Sequence, residues 1–296
     1  MTISVGNTPL SWGIQSVENA PHAFGDVLNE ICETGYAGTE LGPWGYLPTD
    51  PEVLRAELNA RNLTLTSAFV HVRLTDPQAH EPGAAHVLEV GRLLAALGAR
   101  ILVLADDVDP DSKAARYAGR VRTARLSEDE WTVFATGVSH IAEVLHHETG
   151  LRLAFQHHAG THIEIADEVR LLLDRLNPDR VGLCLDTGHW RYAGGDPLEA
   201  VQEYGQRIWY VHLADCDPNI RQFALDEQLN FHEAALTGVF CPLGEGDVPF
   251  PAILDGLRRL QYEGWVIVEQ DAMLEEPDTD RLNARHNRDY LQKLGL

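Results

Sequence analysis

The sequence predicts an α/β chain folded as a single (β/α)₈ barrel. Three observations carry that prediction: eight short runs rich in β-branched or aromatic residues, amphipathic helical stretches between them, and glycines at the joints. A length of 296 residues suits one such barrel, and no Ser/Pro-rich linker or shift of composition divides the chain. Residues 1–296 are therefore expected to form one domain.

The eight strand-like runs lie near residues 3–7, 36–40, 63–69, 101–105, 151–156, 181–186, 207–213 and 265–269. Helical spacing of apolar residues at three and four predicts helices over stretches such as 51–61, 84–97, 128–147, 165–176 and 250–260. Gly35, Gly98, Gly150 and Gly264 stand where helices are expected to end before the next strand. One long departure, about 215–249, carries only a short helical stretch near 222–236. A connection of that length predicts an active-site loop or lid.

Composition narrows the function. Lys and Arg number 23 against 45 Asp and Glu, a formal charge of −22 that repels phosphate backbones and anionic headgroups and so argues against nucleic-acid and membrane partners. Cys32, Cys184, Cys216 and Cys241 are widely spaced with no Cys-x-x-Cys pair, which fits a reduced, cytoplasmic setting. The first residues lack a basic start and apolar run, and no stretch reaches about 18 consecutive apolar residues.

Successive strand side chains alternate between the two faces, so parity picks out which residues share the inner face of the barrel. In Val181-Gly182-Leu183-Cys184-Leu185-Asp186 the odd positions are bulky and suit the helix side, which turns Asp186 inward at the C-terminal end. The same parity turns His212 inward above Tyr210, Glu269 above Ile267, and Gln156 and Glu40 at the ends of their own runs. Barrel active sites are built at that face from several strand ends. Gln156, Asp186, His212 and Glu269 make a hard-to-borderline O/N donor set without thiolate, suited to Mn²⁺, Mg²⁺, Co²⁺ or Zn²⁺. Any one of them alone reads more often as a loop cap or a hydrogen-bonded core residue than as a ligand, but unpaired carboxylates crowded together would repel one another.

Imidazoles gather beyond two of these strand ends. His189 follows Asp186 in Asp186-Thr187-Gly188-His189, and three histidines fall in Gln156-His157-His158-Ala159-Gly160-Thr161-His162. From their place past the barrel strands, His157 or His158 is expected to touch substrate, and His189 to reach it from the next loop. His146 and His147 close a predicted helix, where cationic groups complement the dipole, and are assigned no role.

Three segments, Val5 to Gly13, Gly38 to Tyr46 and Leu185-Asp186-Thr187-Gly188-His189, resemble the xylose-isomerase-like TIM-barrel superfamily, and within it the inosose dehydratases. The similarity spans nearly the whole chain and includes Gly238-Val239-Phe240 followed by Pro242-Leu243-Gly244-Glu245-Gly246-Asp247. The resemblance implies a metal-dependent lyase that removes water from 2-keto-myo-inositol (scyllo-inosose) to give a trihydroxycyclohexane dione in inositol catabolism. It implies one divalent ion, Mn²⁺ or Co²⁺ before Mg²⁺ or Zn²⁺, with ligands Asp186, His212 and Glu269 and, by position, Gln156. It also implies pairing of the barrels into a homo-oligomer.

Two departures stand out. Sugar epimerases of the superfamily carry Glu at the position of Gln156, and an amide can ligate but cannot abstract a proton, which disfavours two-base epimerisation. After His212 the family commonly reads Leu-Lys-Asp, whereas this chain reads Leu213-Ala214-Asp215. The expected chemistry is removal of an α-proton by Glu269, His157, His158 or His189, and protonation of the leaving β-hydroxyl by another of these, with Glu40, Trp44, His158 and Asp215 holding a small keto-polyol. The alternatives are a keto-sugar isomerase or epimerase on the same enediolate chemistry and a sugar-binding barrel without activity. A nuclease of this barrel type would need a basic groove, which a charge of −22 opposes.

Overall fold

The computed structural model describes residues 3–120, 125–270 and 279–296. The strands are β1 (Ile3–Asn7), β2 (Gly38–Thr39), β3 (Thr64–Leu65), β4 (Phe69–Val72), β5 (Ile101–Asp106), β6 (Arg152–Gln156), β7 (Val181–Asp186), β8 (Ile208–Leu213), β9 (Asp215–Cys216), β10 (Phe240–Cys241) and β11 (Gly264–Val268). Helices α1 (Phe24–Thr34), α2 (Pro51–Asn59), α3 (Pro77–Ala96), α4 (Lys113–Arg116), α5 (Glu128–Thr149) and α6 (Ala166–Arg175) precede β7. After it come α7 (Thr187–Tyr192), α8 (Pro197–Tyr204), α9 (Pro218–Asp226), α10 (Phe231–Leu236), α11 (Phe250–Arg259) and α12 (Thr279–Lys293).

Nine strands run parallel in the order β3-β2-β1-β11-β8-β7-β6-β5-β4. The two ends of that order, β3 and β4, are successive pieces of one strand, broken across residues 66–68. Backbone N–H groups bridge the break: Thr66 donates to Thr39 O, Leu41 to Ser67 O and Val103 to Ala68 O, so the sheet closes on itself as the eight-strand barrel that the sequence predicts. Tyr210 fills the interior with its hydroxyl on Thr66 Oγ1 at 2.8 Å, among Val103, Ala154, Cys184 and Ile267. The helices cover the outside with a second apolar layer built from the alternate strand residues, such as Leu183, Leu185, Val211 and Val266.

Helix boundaries follow local chemistry. Asp76 caps α3 through Gln78 N, and the helix runs past Pro82, a residue that interrupts the sequence pattern and makes the helix read as starting near residue 84. Gly35, Gly98 and Gly150 do take the left-handed conformation at helix ends. Gly264 does not; it opens β11 opposite Ile3, and Gln261, at φ 58°, makes the left-handed turn after α11. Among the described residues no helix is long and apolar enough to cross a membrane.

Residues 215–249 are more ordered than the sequence suggests. β9 and β10 pair antiparallel at the two ends of the segment, and α9 and α10 lie between them. This segment has its own small core, in which Cys216, Ala224, Ala234, Val239 and Phe240 meet Tyr192 and Ala159 from the barrel loops.

Candidate active site

Strand register brings Glu40, Gln156, Asp186, His212 and Glu269 to the C-terminal mouth of the barrel, all 4% exposed or less. His212 is the hub. Its Nδ1 lies 2.5 Å from Glu269 Oε2 and 3.8 Å from Asp186 Oδ2, and its Nε2 lies 3.1 Å from Glu40 Oε1. Burial disfavours a charged imidazole here, yet the neighbouring Cys184, Glu269 and Glu40 outweigh it and hold the His212 pKa well above its ordinary value. Asp186 divides its oxygens: Oδ1 accepts the His189 N–H at 2.8 Å and so starts α7, while Oδ2 faces His212 and the Gln156 amide.

One donor atom each from Glu40, His212 and Glu269 lies within 4.8 Å of the others, and Glu40 Oε2 is buried without a hydrogen-bond partner. Three carboxylates around one imidazole, closed off from water, fit a divalent cation, because buried charges of one sign need a counter-charge. Glu40 had been expected to bind substrate alone; here it also grips the imidazole. Gln156 is turned with Nε2 toward Asp186 at 3.5 Å and Oε1 near Cys184 Sγ at 3.6 Å, so in this orientation it supports Asp186, and ligation through oxygen takes an amide flip.

Above this floor opens a cavity of about 450 Å³ lined by residues that include Thr8, Gln15, Glu40, Phe69, His71, His158, Phe231, His232 and Glu269. A second lobe of about 350 Å³ shares His71, His158, Phe231 and His232 and adds Asp106, Asp107 and Thr161. His158 lines both lobes. Its Nδ1 lies 2.8 Å from Ala159 O, which makes Nδ1 a donor and, in the neutral ring, leaves Nε2 as the acceptor. The ring is held against His189 and Phe231, with centroids 3.7 and 5.1 Å away.

Four expectations need correction. His157 follows inward-facing Gln156, so parity turns it out of the barrel, where it meets the Trp190 ring edge-on at 4.8 Å; burial pulls its pKa down to about 3. His189 lies beneath His158, accepting the Ala159 N–H at Nδ1, and lines neither lobe. Trp44 packs against the core and the edge of His86, outside both lobes. Asp215 holds protein rather than substrate: its carboxylate accepts the N–H groups of Cys216, Gly244, Gly246 and Val248 at 2.8–3.1 Å. Burial nonetheless pushes its pKa up against those donors. A Cβ on Gly246 would sit 2.3 Å from Asp215 Oδ1, so only glycine lets the loop close around it.

Several lining residues were not foreseen. Phe69 and His71 belong to the broken third strand, whose kink resets its parity; Phe231 and His232 come from α10. Asp106 ends β5, takes the Leu74 N–H, and lies 2.6 Å from His162 Nδ1, which fixes the loop after β6.

A parallel barrel with a polar mouth of this make-up is the mark of one class, and the chain belongs to the xylose isomerase-like TIM barrel family, whose pattern matches residues 28–294. It is similar to an inosose dehydratase of Geobacillus kaustophilus (strain HTA426), 32% identical over 98% of this chain and 94% of that one. It is also similar to the rhizopine catabolism protein MocC of Rhizobium meliloti, 34% identical over 92% and 82% of the two chains. A solved structure of IolI protein with a bound zinc atom superimposes with a TM-score of 0.70 at 15% identity, covering 99% of this chain and 96% of that chain, a likeness of fold.

Proposed function

We propose that this protein is a metal-dependent carbon–oxygen lyase that removes water from scyllo-inosose, or a closely related keto-polyol, to give the corresponding dione. The observation that carries the reading is the convergence of Glu40, His212 and Glu269 donor atoms within 4.8 Å at the base of a cavity of about 450 Å³. The full-length similarity to inosose dehydratases supports the same reaction. Asp186, His212 and Glu269 would hold a divalent cation, with Mn²⁺ or Co²⁺ as the ions to try first. The Gln156 amide steadies Asp186, or ligates after a flip. Glu40 accepts from His212 Nε2, which leaves Nδ1 as the nitrogen to ligate. When bound, such an ion supplies Lewis-acid polarisation of the substrate ketone.

The chain's own residues do the rest. His158 Nε2, the acceptor of the neutral ring when Nδ1 donates to Ala159 O, takes the proton next to the carbonyl. Glu269 lines the cavity beside the imidazole hub and supports the charge that develops there. Phe69 and Phe231 shield the ring of a small polyol from water, and Glu40, Gln15 and Thr8 offer partners to its hydroxyls. Gln156 cannot serve as the second base of an epimerase, which favours elimination. The lid at about 215–249 would close over substrate in a one-domain, cytoplasmic enzyme that works as a homo-oligomer, with no nucleic-acid or membrane partner.

The test is direct. Metal-stripped protein is incubated with scyllo-inosose, Mn²⁺ or Co²⁺ is restored, and dione is followed by absorbance, with Asp186→Ala as control. Metal-dependent dione from the wild type alone is the expected result. No dione, with metal bound at Asp186, would refute dehydration of this substrate.

A further inference from the structure

Elimination of water needs an acid at the departing hydroxyl as well as a base at the α-carbon, and the cavity walls restrict which residue can supply that proton. Glu40 and Glu269 are bound to His212 on the floor. Asp106 is engaged by His162 and the Leu74 N–H, and Asp107 lies 3.8 Å from Arg73. His158 commits its only imidazole proton to a backbone carbonyl, which suits a base. His71 stands on the barrel wall, edge-on to Phe69 at 4.4 Å.

His232 differs from all of these. It enters from the roof on α10, lines both lobes, and its ring makes no hydrogen bond or ion pair among the described residues. The backbone that carries it is fixed from both sides. Asn230 and Glu233 cap each other reciprocally at the start of α10. Phe231 is lodged among His158, His189, Tyr192 and Phe240 at centroid distances of 5.1–6.2 Å. An imidazole that lines a cavity from a well-anchored helix end while remaining exposed to solvent can pass a proton to a bound substrate and recover one from water.

We propose that His232 is the general acid of this site, protonating the β-hydroxyl as it leaves; the assignment rests on the dehydratase reading above. The α-carbon–hydrogen bond breaks and its proton passes to His158 Nε2. The electron pair left behind forms the carbon–carbon double bond, the β-carbon–oxygen bond breaks, and the oxygen takes the His232 proton and departs as water. His158 ends the cycle carrying the substrate's α-proton and His232 ends it one proton short, and exchange with solvent resets both. Since His232 supplies its proton to the leaving oxygen and not to the α-carbon, loss of water depends on it and removal of the α-proton does not.

That uncoupling is the measurement. Metal-loaded wild type, His232→Gln and His232→Asn are incubated with scyllo-inosose in D₂O, and both dione formation and deuterium uptake at the α-carbon of recovered substrate are followed by NMR. The expected result is a fall in dione formation of about 10²–10⁴-fold in both variants, with α-deuterium uptake kept. Dione formation within threefold of wild type overturns the proposal. A parallel fall of elimination and exchange overturns it too, whether or not the variants melt earlier, because it marks a structural part. If the wild type gives neither dione nor exchange, the dehydratase reading itself has failed and the assignment falls with it.

Discussion

The floor and the roof of the cavity are made by different means. The floor residues are buried on adjacent strands, where backbone register leaves each side chain one direction in which to point. The roof is an insertion between two barrel elements, with Phe223 and Leu236 each about half exposed, held by the buried Asp215 carboxylate, by the Arg191–Asp247 ion pair to α7 and by its own small core against Tyr192 and Ala159. A precise donor set is therefore built where the hydrogen-bond ladder dictates position, and the cover above it is built as a separate small core outside that ladder.

The sharpest test of that contrast is on the floor. Glu269→Gln removes one negative charge from the His212 hub, and turnover is expected to fall by about 10³-fold or more. Calorimetric titration with Mn²⁺ should show weakened binding at an unchanged melting temperature. Retention of both within tenfold would break the comparison by showing that the floor is not the reacting centre.

Next comes the roof. Asp215→Ala leaves four backbone N–H groups without their acceptor, a cost of about 1 kcal/mol or more for each one that water does not reach. Hydrogen exchange should accelerate at residues 240–248 while the barrel strands stay protected, and KM should rise more than kcat falls. Uniform acceleration over the strands would mean that roof and floor unfold as one unit.

A third effect belongs to the outer side of the barrel, just past the end of β6. His157 is buried neutral, with its pKa lowered by burial to about 3 from an ordinary 6.5. The unfolded chain binds this proton between those values and the folded chain does not, so His157 favours the fold fully above about pH 6.5 and that advantage drains as pH falls toward 3, by up to about 1.4 kcal/mol per pH unit. Urea unfolding at pH 7, 5 and 4 should show His157→Phe with a flatter acid limb than wild type; identical slopes would remove His157 from the account. The smallest effect is expected of Trp44→Phe. Because Trp44 packs on His86 outside both lobes, KM should change less than about threefold.

The same contrast explains what could be read from the sequence. Period-two alternation exposes the inward residues Gln156, Asp186, His212, Glu269 and Glu40, because a strand allows only two directions. Applied one residue further, that rule also turns His157 outward, but a run of three histidines is a stronger visual signal than parity, and it misleads. Asp215 and Trp44 cannot be placed from local pattern: Asp215 is defined by partners about thirty positions ahead, at Gly244, Gly246 and Val248, and Trp44 by His86. His232 leaves no signal at all, since an amphipathic turn six residues long does not say which of its faces meets the barrel.

Asp215 has one more consequence. A carboxylate that gathers both ends of an insertion, seconded by the short β9–β10 bridge, leaves the exposed positions between Asp217 and Val239, such as Phe223 and Leu236, open to change while the strands beneath keep their places. The barrel can thus inherit a new roof, and with it a new appetite for substrates, by changing one loop. A graft of a relative's 217–239 segment onto this clamp is the natural engineering route to altered selectivity.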